Sequence, residues 1–198
     1  MTERYIKQNG KSNRSPCIKE RVPPTFFSFF ICLFFIQRIA IKSCNAEKSR
    51  LRILYLDFPY SALIDKIGMY SMVLEADIAG NYVGSSYAWA STRDWARFGQ
   101  LHLDKGSWNG EQLFDASWID YITKPTINSN GTYGAHFWLN AEGKYPDVPK
   151  DMFSCNGFEG QHVFMIPSKD LVVVRTGLAE EPFFDVNGVL SNIVKAVP

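Results

Sequence analysis

Hydrolytic or acyl-transfer chemistry needs an activated nucleophile, a proton carrier and donors for a developing oxyanion. In this 198-residue chain the residues that could supply them are the serines, three histidines, a few carboxylates, four cysteines and the segment Gly157-Phe158-Glu159-Gly160-Gln161. No Gly-x-Ser-x-Gly elbow occurs. His102 falls on the apolar face of an expected helix, and His136 and His162 fall in expected strands with no Asp or Glu at a ligand interval, so all three read as structural and no metal site is expected. Glu75 and Asp77 flank a short apolar stretch and, without a second pair, read as a solvated loop. Cys17, Cys32, Cys44 and Cys155 show no C-x-x-C spacing, which argues against a zinc site or a disulfide framework. Among the aromatics, Trp89, Trp95, Trp108 and Trp118 read as packing residues. Tyr133 and Trp138 precede the Gly157 loop and are candidates for a substrate pocket.

These groups must be positioned by regular elements, and the patterning names several. Ser91 or Thr92 as a cap, Asp94 in the first turn, and Trp95, Phe98, Leu101 and His102 at helical spacing predict an amphipathic helix over 91–106. Gly106 to Gly110 predicts a tight turn, and Asp115 to Tyr121 a short helix stopped by Pro125. Upstream, Ala62, Leu63, Ile64 and Ile67 predict a helix after a Pro59 break, closed by Gly68, and residues 69–90 read as strands and loops. Tyr133 to Leu139 predicts an aromatic-rich strand. The runs 161–166 and 171–176 flank Pro167-Ser168-Lys169-Asp170 and predict an antiparallel hairpin. Val186, Val189, Leu190, Ile193 and Val194 predict a terminal helix that covers it.

The composition is that of one globular domain, with 46% hydrophobic and 21% charged residues. A net charge of +1 gives no basis for a nucleic-acid partner. Basic residues concentrate in the first 52 positions, which divides the chain into a segment at 1–50 and a body at 51–198. Residues 26–36 (FFSFFICLFFI) form an apolar run behind basic residues, the layout of an export signal. Eleven residues are short for a bilayer, and extension to Ile41 takes in Gln37 and Arg38. Two readings stay open: a signal or anchor giving membrane association through 26–41 and a cell-envelope or periplasmic location, or a segment foreign to the domain in a cytoplasmic protein.

Tyr87-Ala88-Trp89-Ala90-Ser91-Thr92-Arg93-Asp94-Trp95-Ala96-Arg97-Phe98-Gly99-Gln100, followed by Gly106-Ser107-Trp108-Asn109-Gly110, resembles a helix and turn of the class C-like branch of serine β-lactamases and penicillin-binding-protein-like enzymes. Gly157-Phe158-Glu159-Gly160-Gln161 with the hairpin up to Arg175 resembles the active-site strand of that branch, and the 6-aminohexanoate-dimer hydrolases and small esterases are its most similar members. The resemblance covers about residues 57–198. It implies an α+β fold, the C-terminal part of a β-lactamase-like domain, with an antiparallel sheet and packed helices that include a C-terminal one. It also implies cofactor-free hydrolysis of a small amide or ester through a serine ester, with Ser-x-x-Lys and Tyr-x-Asn moving protons. No serine here has Lys at the third following position and no Tyr-x-Asn occurs. In the family both motifs precede the matched region, so loss of an upstream half would explain both absences, and no catalytic residue is expected in the chain. Where relatives place Lys-Thr-Gly or His-x-Gly, this sequence has Phe158-Glu159-Gly160. The resemblance implies that the N–H of Phe158 or a neighbour serves as an oxyanion donor, with Gly157 and Gly160 allowing close approach. Two functional expectations follow: a β-lactamase-related serine hydrolase inactive as it stands, or a non-enzymatic relative acting as a binding or interaction protein.

Overall fold

The structure, a computed structural model, describes residues 27–29 and 55–197. The elements run β1 (Phe27–Phe29), α1 (55–64), β2 (Val73–Leu74), β3 (Ala88–Ala90), α2 (Thr92–Leu103), β4 (Ser107–Trp108), β5 (Glu111–Gln112), α3 (Ser117–Ile122), β6 (Trp138–Leu139), β7 (Phe153–Asn156), β8 (His162–Ile166), β9 (Leu171–Arg175) and α4 (Val186–Ala196). The fold is α+β. Its main sheet is antiparallel with order β6-β7-β8-β9, and a smaller sheet has order β1-β3-β2.

Alternation along β8 and β9 explains the layering, because successive side chains of a strand point to opposite faces. Val163 and Met165, with Val172 and Val174 across the hairpin, join Trp95, Phe98 and Leu101 of α2 in the larger core. Phe164 and Ile166, with Leu171 and Val173, face Val186, Leu190 and Val194 of α4 in a second core. The hairpin is therefore covered on both faces, as its apolar run requires. Within α4, Val189 stays exposed, so the packing stripe is narrower than the five apolar positions suggest.

The α2 helix starts where expected. Ser91 Oγ accepts from the Asp94 N–H, while the buried Asp94 carboxylate takes the N–H and hydroxyl of Ser71 and pairs with Arg97. Asn109 and Gly110 both have positive φ and close the tight β4–β5 hairpin. At its middle α2 approaches the sheet closely: a Cβ on Gly99 would lie 2.6 Å from Val172 Cγ1 and 3.0 Å from Val163 Cγ1.

Two sequence expectations need correction. The helix before Gly68 is already formed at Tyr55, the first described residue of this stretch, and runs through Pro59, because Pro59, lacking an N–H, sits where the winding widens to i→i+5 bonds such as Asp65 N–H to Tyr60 O at 2.9 Å. Residues 133–139 are a reversal and not a continuous strand. Gly134 N–H donates to Phe137 O at 2.8 Å, His136 has φ 70°, and Tyr133 faces Trp138 across the turn. Gly134 packs on the Ile122 carbonyl, a contact that a side chain would obstruct.

Of the apolar run at 26–41, only Phe27–Phe29 is among the described residues, as a strand paired with β3; the rest of residues 1–50, with Cys17, Cys32 and Cys44, lies outside them. Among the described residues no helix is long and apolar enough to cross a membrane.

The Gly99 approach sets a stability test. Gly99→Val should cost about 2–3 kcal/mol in urea unfolding, since overpacking typically costs 1–3 kcal/mol and valine adds no helix propensity comparable to alanine's.

Candidate functional site

The segment Gly157 to Gln161 is the five-residue turn of the β7–β8 hairpin, because Asn156 pairs with His162 and Gly157 N–H donates to Gln161 O at 2.7 Å. Phe158–Gly160 forms one helical turn, with Glu159 (φ 54°) and Gly160 (φ 79°) left-handed. The segment is thus a turn at the end of a strand, where the sequence suggested the strand itself. Two side chains fasten it. Arg175 Nη1 donates to Gly160 O while its guanidinium lies 3.7 Å from the Phe184 ring centroid. The buried Gln161 amide donates to Gly177 O and accepts from Gly177 N–H, mimicking a strand pair.

These contacts show which backbone groups of the turn are already used. The Gly157 N–H is used inside the turn. Phe158 begins the Phe158–Gly160 turn, within which Glu159 departs from helical φ/ψ. The space above Gly160 holds the Ala179 carbonyl and Arg175 Nη1, so a side chain there would collide with the protein itself. Phe158 is exposed and Glu159 half-buried.

Beside the turn lies a polar row on the α4 face of the sheet, which sequence reading missed. Ser154 Oγ donates to Asn156 Oδ1 at 3.0 Å and His162 Nδ1 donates to the same oxygen at 2.9 Å. The His162 ring stacks on Phe164 at 4.8 Å. Burial, aided by the nearby Arg175 and Lys144 charges, pushes its pKa down to about 4, so the imidazole is neutral with its proton on Nδ1. Ser154 thus faces an amide oxygen and gains no base. Ser85 is exposed and Ser86 half-buried, their hydroxyls 3.4 Å apart, and none of these three serines bonds a His or Lys side chain among the described residues. The readable signal was the six-residue spacing of Asn156 and His162, which makes them cross-strand partners once Gly157 to Gln161 is taken as a hairpin turn.

Tyr133 and Trp138 do come together, with ring centroids 5.1 Å apart in an edge-to-face pair, and Trp138 is 47% exposed. Trp138 pairs with Ser154 in the sheet, two residues before Asn156. A shallow open recess is lined by Asp104, Ser107, Trp108 and Asn109, none of which belongs to this group. Among the described residues no His, Cys, Asp or Glu cluster could hold a metal. His102 is buried in a box of Phe98, Phe114 and Phe137 with Nδ1 bonded to Phe98 O at 2.8 Å, and burial lowers its pKa to about 4. Burial pushes the Cys155 thiol up, leaving it an unreactive filler of the larger core.

Solved structures share the fold of the described body. A putative 6-aminohexanoate-dimer hydrolase from Bacillus anthracis superposes with a TM-score of 0.56 at 24% identity, covering 70% of this chain and 36% of that one. A β-lactamase from Mycobacterium bovis gives a TM-score of 0.56 at 17% identity, covering 72% and 56%. The described body has part of the β-lactamase-like fold. An uncharacterized protein of Alkalihalophilus pseudofirmus is 28% identical over 99 residues, which cover 44% of this chain and 29% of that protein. No family model matches. The chain spans between 29% and 56% of the length of these three relatives.

The two buried imidazoles predict an acid-side loss of stability. Each has a folded pKa near 4 against an ordinary 6.5, so the unfolded chain binds more protons between these values. Their stabilisation is complete above about pH 6.5 and is lost as pH falls toward 4, on the order of 3 kcal/mol per imidazole. Urea unfolding at pH 7 and 4.5 should show this fall, and His102→Gln should remove roughly half of it relative to the parent chain.

Proposed function

We propose that this chain carries the glycine-turn portion of a β-lactamase-related serine hydrolase acting on small amide or ester bonds, and that the polypeptide as it stands does not complete acyl transfer. The observation that carries the reading is the fastened Gly157 to Gln161 turn at the end of β7 in a β-lactamase-like body. In that role the Phe158 N–H donates to the carbonyl oxygen as it gains charge, and Arg175 and Gln161 keep the donor from reorganising during the reaction. Tyr133 and Trp138 would form an aromatic flank for an acyl chain.

The chemistry stops at the nucleophile. A serine hydroxyl requires a proton acceptor within hydrogen-bond reach. Ser-x-x-Lys and Tyr-x-Asn are absent from all 198 residues, and Ser154 is committed to Asn156. The alternative, a non-enzymatic relative that binds ligands or partners through the same fold, shares every structural feature named here and likewise gives no turnover, and a ligand or partner retained by the folded chain would favour it.

The test is direct. The purified chain should hydrolyse neither nitrocefin nor p-nitrophenyl acetate above a denatured control, and a fluorophosphonate should leave its intact mass unchanged. Removing nucleophile and base leaves at most a residual of roughly 10³ to 10⁴ over water, and only in an otherwise complete site, which a chain without Ser-x-x-Lys and Tyr-x-Asn does not supply. Saturable turnover abolished by a serine-directed inhibitor would overturn the inactive reading, and Ser85→Ala, Ser86→Ala and Ser154→Ala would then locate the nucleophile.

A further inference from the structure

Four Asn-Gly pairs lie among the described residues, at 109–110, 130–131, 156–157 and 187–188. In such a pair the asparagine side chain is open to attack by its own backbone, because glycine has no Cβ to shield the amide nitrogen that follows. That nitrogen adds to Asn Cγ, and the side-chain amide leaves as ammonia, taking the N–H proton with it. Water then opens the five-membered succinimide at either carbonyl, giving aspartate or isoaspartate. The reaction needs a glycine N–H without an acceptor and an asparagine side chain free to swing over it.

Two of the four pairs are locked. At Asn156 the side-chain oxygen accepts from Ser154 Oγ and His162 Nδ1, and the Gly157 N–H donates to Gln161 O at 2.7 Å. At Asn187 the side-chain amide donates to Asp147 Oδ2 and its oxygen accepts from the Asp147 N–H, while the Gly188 N–H donates to Asp185 Oδ1 at 2.8 Å. Asn130 is exposed, but the Ser129 carbonyl holds its turn through the Thr132 N–H at 3.0 Å and Thr132 Oγ1 at 2.6 Å, and Gly131 packs against the Glu142 side chain. Asn109 is free. With Gly110 it forms the exposed, left-handed two-residue tip of the β4–β5 hairpin. Among the described residues neither the Asn109 side chain nor the Gly110 N–H has a hydrogen-bond partner, and nothing lies within 4 Å of a Cβ built on Gly110.

We propose that Asn109 is a self-modification site, converting to aspartate and isoaspartate in the folded chain, while Asn156 beside the glycine turn is preserved as an amide. Gln112 Nε2 fastens the base of the hairpin to the Lys105 and Phe114 carbonyls, each at 2.7 Å, so only the tip has to open. Local opening of an exposed tip costs far less than opening the β7–β8 end or the first turn of α4. Conversion adds a carboxylate to the recess that already holds Asp104. The isoaspartyl product also inserts a backbone carbon into a two-residue loop, which disturbs the Trp108–Glu111 pairing and the Lys66–Glu111 ion pair that ties the hairpin to the turn after α1. The inference goes beyond the hydrolase reading and is independent of it.

Peptide mapping by mass spectrometry tests it, on the full chain aged at mildly alkaline pH in ¹⁸O-labelled water. Labelled oxygen marks conversion that took place during ageing, and electron-transfer fragmentation separates isoaspartate from aspartate. In the folded chain Asn109 should convert about tenfold or more faster than Asn156 and Asn187, and faster than Asn130. In concentrated urea the four rates should draw together, because each asparagine then has a glycine neighbour and no fastening. A folded-chain ratio of Asn109 to Asn156 or Asn187 below about tenfold, a ratio as large in urea as in the folded chain, or conversion led by Asn130 overturns the proposal.

Discussion

Every part of this body depends on β8 being buried on both faces. All five of its residues are buried, flanked by β7 and β9, with α2 on one side and α4 on the other. A strand in that position has no tolerance for register error, because a shift of one residue would exchange Val163 and Met165 with Phe164 and Ile166 and so exchange the volumes offered to the two helices. The fixed register sets the ends of β7 and β8, and those ends set the turn. Glu159 then adopts a left-handed conformation that costs a non-glycine residue on the order of 1 kcal/mol or more, and persists because the surroundings over-determine it. Arg175 and Gln161, one on the neighbouring strand and one at the end of the turn, supply that determination.

The same constraint explains the polar row. The α4 face of β7 and β8 is apolar where Phe164 and Ile166 meet the helix and becomes polar toward the turn, at Ser154, Asn156 and His162. Buried polar atoms must find partners, and here one amide oxygen accepts from both a hydroxyl and an imidazole. That arrangement fixes the orientation of Asn156 and the tautomer of His162 together. It also consumes the only serine of the sheet whose neighbours might have suggested catalysis. A hydroxyl donating to an amide oxygen is a structural hydrogen bond, since an amide is far too weak a base to take its proton.

What the sequence made legible were the elements with a clean period. The α2 helix was readable from Ser91 through Leu101, the β8–β9 hairpin from two apolar runs across Pro167 to Asp170, and α4 from Val186, Leu190 and Val194. Each pairs local propensity with the face it must bury, so the two signals agree. Failures occurred where they conflict. Tyr133 to Leu139 is rich in strand-forming aromatics, yet Gly134 must sit on a carbonyl and His136 must turn left-handed, so a reversal wins. Pro59 reads as a break because its missing N–H usually ends a helix, whereas here a wider turn absorbs it. The segment Gly157 to Gln161 reads as a strand and folds as a turn, since glycines at 157 and 160 suit a strand and a tight turn equally. Its fasteners were illegible for another reason. Arg175 lies 15 residues from its partner Gly160 and Gln161 16 from Gly177, and no local pattern encodes contacts made only by the finished hairpin.

The division between fold and chemistry follows from where each is encoded. The β7–β8–β9 sheet with its two helices is stabilised mainly by the apolar contacts of its two cores, so the body can persist whether or not a nucleophile is ever presented to it. A preorganised donor without a nucleophile stabilises charge that never develops, and in the ground state it is simply one more hydrogen bond to water. The turn is rigid for a folding reason first: an unfastened left-handed Glu159 next to Gly160 would open the β7–β8 end and expose His162. Rigidity of this kind is a precondition for oxyanion stabilisation. The same Arg175 and Gln161 contacts would be selected in a hydrolase and in a descendant that had given up the reaction, which is why turnover, and not geometry, separates the two.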